Sequence, residues 1–334
     1  MGVADRRVYV GSWDQLFGVR ALQLDDGPER GVRLLDVDTG GGLRFDVLVD
    51  RGFDIGRCTY RGMSLAWLSP TGHAHPHRYE RTGDDWLRGF GGGMMTTCGL
   101  QAVGAPSEDA GRSWGLHGDV SFQAASSVQY DVDPAAGRIA LRATVRDASS
   151  LGPVLILERT IEAAIGGSSV AITDRLRNDG AAPSEYAMLY HVNLGHPFLS
   201  EMTEIEFPAD DEVEPFDDVA RRARGEHRRG ARPDAAAEPE IFLHRTRGPG
   251  RVVITNPATP VGSLRMTIEY PVEELPLLWQ WRFLRDRIYV MGIEPATATV
   301  AGRAASREAG LQRTLLPGAE VTQTLTIRVE NLNP

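Results

Sequence analysis

Short stretches in which apolar and polar side chains alternate recur along the whole chain. In "RIALRATVRD" (138–147), the apolar series from Ile139 to Val145 alternates with residues such as Arg142 and Thr144. A period of two is typical of a strand with one buried face, because successive side chains point to opposite sides. Turn sequences such as "DPAAG" and "NDG" separate these runs. The pattern therefore predicts an all-β fold, a sandwich or a barrel, rather than an α/β fold.

The length of 334 residues fits one large all-β unit, since sandwiches often exceed the usual domain size. We expect residues 1–334 to form a single domain. One stretch breaks the pattern: residues 208–239 carry an acidic block followed by a basic one, with few large apolar residues. We interpret this stretch as a charged, solvated excursion between strands, with a short helix near Val219–Ala223.

Charge and cysteine content narrow the classes of partner. The net charge is −9 and the isoelectric point is about 5.4, which argues against nucleic acid and anionic membranes as partners. Cys58 and Cys98 are too few for a disulfide framework, and we interpret Cys98 as a small buried hydrophobe. The chain has no run of 18 apolar residues and no apolar segment near Met1. The expected location is therefore the cytoplasm.

Polar side chains interrupt two apolar runs in a way that suggests proton-transfer chemistry. In "LYHVNLGHP" (189–197), His191 and Asn193 share one strand face. Glu294 closes another apolar run, directly before Pro295. A carboxyl group in such a place is a candidate for a pKa raised by burial, unless an arginine pairs with it.

An aromatic segment points to sugar binding. In "LLWQWRFLRDR" (277–287), Trp279 and Trp281 lie on one strand face, and Gln280 and Arg282 lie on the other. Indole rings stack on the C–H faces of a sugar, while its hydroxyls need donors and acceptors. We therefore expect Asn193, Gln280 and Arg282 to contact a sugar. Arginine forks also leave room for a phosphorylated or acidic one.

Three glycine-rich segments are further candidates. His117 lies between glycines in "GLHG", where it either approaches a ligand or bonds to nearby carbonyls. The triplet at 91–93 does not continue into a phosphate-binding loop, so a flat, glycine-floored ligand surface is the favoured interpretation. In "VDRGFDIG", Arg51 either lines a site or belongs to a charged hairpin turn.

Five motifs occur in an order and spacing that resemble the aldose 1-epimerase (galactose mutarotase-like) superfamily. They are "DRGFDIG", "GGGMMTTCGL", "GLHG", "YHVNLG" and "GIEPA". The resemblance spans roughly residues 30–330 and is nearest to the poorly characterised aldose 1-epimerase-like branch. It implies a large antiparallel β-supersandwich with a sugar site on one sheet face. It also implies acid–base ring opening at an anomeric carbon, without a metal or an organic cofactor.

The resemblance also implies roles for individual residues. Glu294 matches the general base that removes the proton of the anomeric hydroxyl, and His191 matches the acid that protonates the ring oxygen. His117 matches a substrate ligand, and Arg51 is the best match to an arginine that binds sugar hydroxyls. On this reading His191 holds a proton at neutral pH, aided by a nearby carboxylate.

Departures from the family pattern keep other functions open. Tyr190 precedes His191 where mutarotases have Asn, and Asp119 follows "LHG" in place of a second glycine. The identity of the sugar and the oligomeric state, including a homodimer, therefore stay open. The alternatives are a non-catalytic sugar-binding protein, and an isomerase or lyase that acts on an oxidised sugar. A metal site built from His117, His191 and Glu294 lacks a supporting motif such as H-E-x-x-H.

Overall fold

The computed structural model of the chain describes residues 4–79, 82–208, 212–223, 225–245 and 248–333. Its strands, in chain order, are β1 (Gly18–Gln23), β2 (Arg33–Asp38), β3 (Leu43–Leu48), β4 (Asp54–Tyr60), β5 (Met63–Ser64), β6 (Met95–Leu100), β7 (Ser107–Asp109), β8 (Arg112–Trp114), β9 (Ser126–Asp133), β10 (Arg138–Ala148), β11 (Val154–Ala164), β12 (Ser169–Asn178), β13 (Ser184–Gly195), β14 (Glu204–Glu206), β15 (Glu212–Pro215), β16 (Glu240–Arg245), β17 (Gly250–Thr259), β18 (Gly262–Tyr270), β19 (Leu277–Arg285), β20 (Ile288–Ala296), β21 (Arg313–Leu315) and β22 (Glu320–Asn331).

Helices are short. The α-helices are α1 (Trp86–Gly89), α2 (Asp218–Arg222) and α3 (Arg303–Glu308). The 3-10 helices are Ala4–Tyr9, Trp13–Gln15, Gly27–Glu29, Pro76–Arg78 and Val120–Phe122. Within the described ranges, none of these helices has the length and hydrophobicity to cross a bilayer.

Two large antiparallel sheets form the fold. The twelve-stranded sheet has the order β1-β2-β3-β4-β6-β13-β20-β19-β16-β15, with β5 beside β4 and β21 beside β13. The eight-stranded sheet has the order β14-β17-β18-β22-β12-β11-β10-β9, and β7 and β8 form a separate hairpin. The prediction of an all-β, large antiparallel sandwich is therefore confirmed.

The main hydrophobic core lies between the two sheets. Both sheets contribute to it, for example through Leu141 of β10 and Ile293 of β20. A second apolar cluster packs on the opposite face of the twelve-stranded sheet, where Trp67, Trp86 and Phe90 cover the strands. We call this second surface the outer face. Because side chains alternate along a strand, one parity of residues in β13 and β20 faces the main core and the other parity lies on the outer face.

The charged stretch 208–239 is only in part the solvated excursion expected from its composition. α2 lies where the short helix was expected. However, β15 pairs with β16 and extends the twelve-stranded sheet, and Ala220 and His227 are buried. Residues 209–211 and 224 of this stretch lie outside the described residues.

A buried ionic network joins the two sheets. Arg159 of β11 is completely buried and donates hydrogen bonds to Asp174 of β12 and Asp54 of β4, at 2.6 Å each. It also donates to the hydroxyl of Thr97 in β6 at 2.7 Å. Tyr190 of β13 donates its phenol proton to Asp174 at 2.7 Å. The network therefore connects four strands of the core to the residue that directly precedes His191.

Removing Arg159 should unfold the protein far more readily than removing a surface arginine. Arg159→Leu would leave Asp54 and Asp174 buried without a cation, so we expect a loss of about 3–5 kcal/mol in the free energy of unfolding. The matched control is Arg175→Leu, because Arg175 pairs with Glu158 on the solvent side of the same sheet and should cost less than about 1 kcal/mol. Urea denaturation followed by circular dichroism measures both, and equal losses would contradict the structural role of the network.

Candidate active site

His191 and Glu294 meet on neighbouring strands of the outer face. The register of β13 and β20 pairs Val192 with Ile293 and Asn193 with Gly292, which places His191 across from Glu294. The Nε2 atom of His191 lies 3.2 Å from Oε1 of Glu294, and both side chains are almost completely buried. Two groups that are about a hundred residues apart in the chain therefore lie side by side, although Oε1 has no hydrogen-bonding partner within the described ranges.

Gly292 gives the carboxyl group of Glu294 the space it occupies. A Cβ atom on Gly292 would lie 2.3 Å from Oε1 of Glu294 and 3.1 Å from Cε1 of His191. Real Cβ atoms do not approach other atoms so closely, so any larger residue would push the two groups apart. The glycine in "GIEP" is thus part of the site, although the sequence analysis did not select it.

Aromatic rings surround the imidazole of His191. The ring centre of Phe90 lies 5.2 Å from that of His191, and the ring of Trp281 lies 5.6 Å away in an edge-to-face arrangement. Trp67 packs on both of these rings, at 5.6 Å from Phe90 and 6.1 Å from Trp281. Trp67 and Phe90 belong to an irregular loop. Their place beside His191 follows from the packing of this loop on the sheet and could not be deduced from the sequence. Trp281 remains half-buried, so its ring borders the pair and is also accessible.

Burial controls the protonation of the pair. Desolvation raises the pKa of Glu294 to about 8. It lowers the pKa of His191 to about 3, with a smaller lowering effect of His117, while the side chain of Asn193 acts in the opposite direction. Both groups thus favour their neutral forms, because a low-dielectric site penalises charge. At neutral pH the pair holds one exchangeable proton, on Glu294 rather than on His191, which corrects the expectation from the sequence.

His117 lies beside the pair. Its backbone adopts a φ of 57°, its N–H donates to the carbonyl of Gly104, and its carbonyl accepts from Gly99. The ring centre lies 5.9 Å from that of His191 and 4.8 Å from that of Trp86. The protein surrounds the ring and lowers its pKa to about 4 by desolvation, although part of the residue remains exposed. His117 is therefore a neutral donor or acceptor at the edge of the site.

Arg51 holds the aromatic cover in place. Its guanidinium donates hydrogen bonds to the carbonyls of Ala74 and Gly89 and lies 4.8 Å from the ring centre of Phe122. Burial lowers its pKa to about 10. These contacts fasten the loop that carries Trp67 and Phe90, whereas the sequence analysis expected Arg51 to bind sugar hydroxyls. The charged-turn alternative is closer to what the structure shows.

Gln280 and Arg282 lie on the wrong face of the sheet for the expected sugar contacts. They pair with Ile293 and Met291 of β20, whose side chains enter the main core. Gln280 contacts His244 at 3.1 Å and donates to the carbonyl of His227, and Arg282 forms an ion pair with Glu240 at 2.7 Å. Strand alternation instead places Trp279 and Trp281 on the side of Glu294.

The glycine triplet also has a different role from the expected ligand surface. Cβ atoms on Gly91, Gly92 and Gly93 would lie 2.4–2.8 Å from atoms of the 55–73 region, most of them in the backbone. The triplet therefore allows the loop to pack tightly against its neighbours. Asn193, which was expected to touch the sugar, donates to the carbonyl of Gly93 at 3.0 Å and is fully buried.

The polar groups beside the pair are of types that take part in proton transfer. No group of three or more His, Cys, Asp or Glu side chains in the described ranges is arranged to hold a metal ion. The site instead combines the neighbouring carboxyl group of Glu294 and imidazole of His191, a second imidazole on His117, and the half-buried indole of Trp281. Such a set can move a proton between two oxygen atoms of one bound molecule.

The raised pKa of Glu294 predicts a specific pH dependence of stability. In the unfolded chain this carboxyl group ionises near pH 4.3, whereas the folded protein holds the proton up to about pH 8. The stabilisation is thus complete below the unfolded pKa and is lost as the pH rises through the folded pKa. Relative to Glu294→Gln, which cannot ionise, the wild type should lose about 1.4 kcal/mol of unfolding free energy per unit between about pH 6 and 7.5.

Urea titrations at several pH values measure this difference. His191 is present in both proteins, so its own titration cancels. The control is Glu273→Gln at an exposed position, whose difference from the wild type should stay constant with pH. A constant difference for Glu294→Gln as well would contradict the raised pKa.

Known proteins of similar sequence or structure share the fold described above. The family model described as "Domain of unknown function (DUF4432)" matches residues 29–329. A crystal structure of a "putative aldose 1-epimerase" from Klebsiella pneumoniae is similar at a TM-score of 0.86 and 25% identity, covering 96% of this chain and 86% of that one. A search of curated proteins found no match.

More distant structures share the fold. A galactose mutarotase-like protein from Clostridium acetobutylicum has a TM-score of 0.65 and 11% identity, covering 95% of this chain and 100% of the other. Galactose 1-epimerase from Lactobacillus acidophilus has a TM-score of 0.61 and 14% identity, covering 94% and 99%. The family match spans nearly the whole chain, and the fold places it among these structures. The chain therefore belongs to the DUF4432 family, and its fold is that of the galactose mutarotase-like structures.

Proposed function

We propose that this protein is an aldose 1-epimerase that interconverts the α and β anomers of a monosaccharide by acid–base catalysis. The observation that carries the proposal is the 3.2 Å contact between Nε2 of His191 and Oε1 of Glu294 in a site lined by aromatic rings. The similarity to proteins that are named as aldose 1-epimerases supports the same reaction class.

The reaction requires one group that accepts a proton and one that donates a proton. Glu294 takes the proton from the anomeric hydroxyl O1, and His191 delivers a proton from Nε2 to the ring oxygen O5. The C1–O5 bond breaks, and O1 becomes the carbonyl oxygen of the open-chain aldehyde. Rotation about C1–C2 and reversal of both transfers close the ring with the other anomeric configuration. Each proton is returned, so the pair ends as it began.

The single exchangeable proton of the pair is compatible with these roles. Without a ligand, burial favours the proton on Glu294. Sugar hydroxyls that donate hydrogen bonds to the carboxylate favour its ionised form. The proton then moves across the Nε2–Oε1 contact to His191, which becomes the acid. The binding of the sugar therefore produces the catalytic protonation state.

Two neighbours of the pair are candidates for contacts with the sugar. Trp281 is half-buried beside His191 and offers an indole face or edge to the C–H surface of a pyranose. His117 is neutral and partly exposed, so it hydrogen-bonds a sugar hydroxyl. We propose these two residues as the substrate contacts next to the catalytic pair.

Anomer exchange measured by NMR tests the proposal. Purified protein is added to a panel of neutral, phosphorylated and uronic sugars, and magnetisation transfer between the two anomeric protons gives the exchange rate. We expect the wild type to accelerate exchange of at least one sugar. His191→Asn and Glu294→Gln should each reduce that rate by about 10²-fold or more, because each removes one positioned proton transfer.

The controls separate loss of chemistry from loss of structure. His196→Asn repeats the first substitution at an exposed histidine just beyond β13 and should retain full activity, as should Glu273→Gln. Full activity in either catalytic variant, with circular dichroism unchanged, would refute the assignment. Sugar binding by the wild type without anomer exchange would indicate a binding protein, and deuterium uptake at carbon would indicate an isomerase or lyase.

A further inference from the structure

A cavity of about 430 Å³ lies beside the hairpin formed by β7 and β8. Its lining includes Trp114 of β8, Ser184 at the start of β13 and Arg303 of α3. Ser184 and His191 are seven residues apart on β13, which corresponds to about 23 Å along a strand. The cavity is therefore separate from the site at His191 and Glu294.

An ionic cluster of two arginines and two acidic residues holds the surroundings of the cavity together. Arg303 and Arg307 of α3 both donate hydrogen bonds to Asp109 of β7, at 2.8–2.9 Å. Both arginines also form ion pairs with Glu185 of β13. Two positive and two negative charges thus compensate each other, and the cluster as a whole is neutral.

Arg112 adds a positive charge that this cluster does not compensate. Its guanidinium carbon lies 4.0 Å from the ring centre of Trp114, and that of Arg303 lies 4.5 Å from the same ring. Within the described ranges Arg112 forms no ion pair, because Asp109, which faces it in the hairpin, binds the cluster, and Glu108 accepts from a neighbouring serine. An indole that stacks on a guanidinium leaves the N–H donors at its edge available to a ligand.

Two further donors belong to residues of the lining. Nε1 of Trp114 and Oγ of Ser184 are buried, and neither atom has a hydrogen-bonding partner within the described part of the chain. Ser184 as a whole is only 3% exposed. Buried polar atoms in native proteins are normally paired, and an indole N–H can only donate. A ligand with acceptor oxygens would therefore complement this lining.

We propose that this cavity binds a small oxyanion, a phosphate or a carboxylate group, through Arg112, Trp114 and Ser184. The charged residues of the lining are Arg112, Arg303 and Glu185, so the lining is positive although the chain as a whole carries a net charge of −9. The planar guanidinium of arginine matches both phosphate and carboxylate in bidentate geometry. The site goes beyond the proposed epimerase reaction and does not depend on it.

NMR of the indole N–H groups tests the site directly. Protein labelled with nitrogen-15 tryptophan is titrated with inorganic phosphate and, separately, with malonate, at neutral pH and constant ionic strength. We expect the Nε1–H signal of Trp114, assigned by its absence in Trp114→Phe, to shift until it saturates. The signal of Trp281, beside the catalytic pair, should stay in place. A response to phosphate alone identifies a phosphate ligand, a response to malonate alone identifies a carboxylate ligand, and a response to both identifies a general oxyanion site.

Calorimetric titration of variants with the responding anion measures the contribution of each donor. Arg112 is exposed, so Arg112→Gln should fold normally and weaken binding by about tenfold or more, because it removes a charge-assisted hydrogen bond. Ser184→Ala removes a neutral donor and should weaken binding by about threefold. The control is Arg328→Gln, at an exposed position of β22, which should leave the affinity unchanged.

Two results would overturn the proposal. One is a Trp114 signal that neither anion shifts at millimolar concentrations. The other is an equal affinity of the wild type and Arg112→Gln, which would place the bound anion elsewhere on the protein. Both results leave the epimerase proposal untouched, since anomer exchange tests that proposal at a different site.

Discussion

The structure of the site depends on one contact, in which a carboxyl group and an imidazole lie 3.2 Å apart with almost no exposure to solvent. Glu294 and His191 are both nearly fully buried, so neither can be charged at low cost unless the other or a ligand compensates. Aromatic rings surround the imidazole, Gly292 leaves space for the carboxyl group, and Asn193 donates to the backbone carbonyl of His191. Each of these features holds the two groups close together in a low-dielectric site.

The buried network around Arg159 explains why the contact can be held in register. A slip of one residue along β13 would exchange the two faces of the strand and move His191 into the main core. Tyr190 prevents this slip because its hydroxyl bonds to Asp174, which is itself held by Arg159 of the other sheet. Contacts in the core between the sheets therefore hold Tyr190, the residue before His191, in place. A network with no access to solvent thus determines the geometry of the outer face.

The sequence revealed the fold and the central pair because both depend on local patterns. Alternation in β10 indicated strands, and polar residues within apolar runs identified His191 and Glu294. The face of Gln280 and Arg282 could not be deduced, since the alternation in β19 allows either parity to face the site. The pairing of β19 with β20 determines which face of β19 lies beside Glu294. The roles of Arg51 and Gly91 depend on a loop that packs from a distance, and no local pattern encodes such packing.

The protonation of the pair was misjudged from the sequence for a related reason. An isolated histidine near a carboxylate is expected to be charged near neutral pH, and the degree of burial that reverses this preference is a property of the assembled site. The most direct test is an NMR titration that follows the carboxyl carbon of Glu294 and the ring nitrogens of His191 together. The account predicts a protonated carboxyl group at pH 7 with a midpoint near pH 8, beside a neutral imidazole. An ionised Glu294 beside a protonated His191 at pH 6 would contradict it.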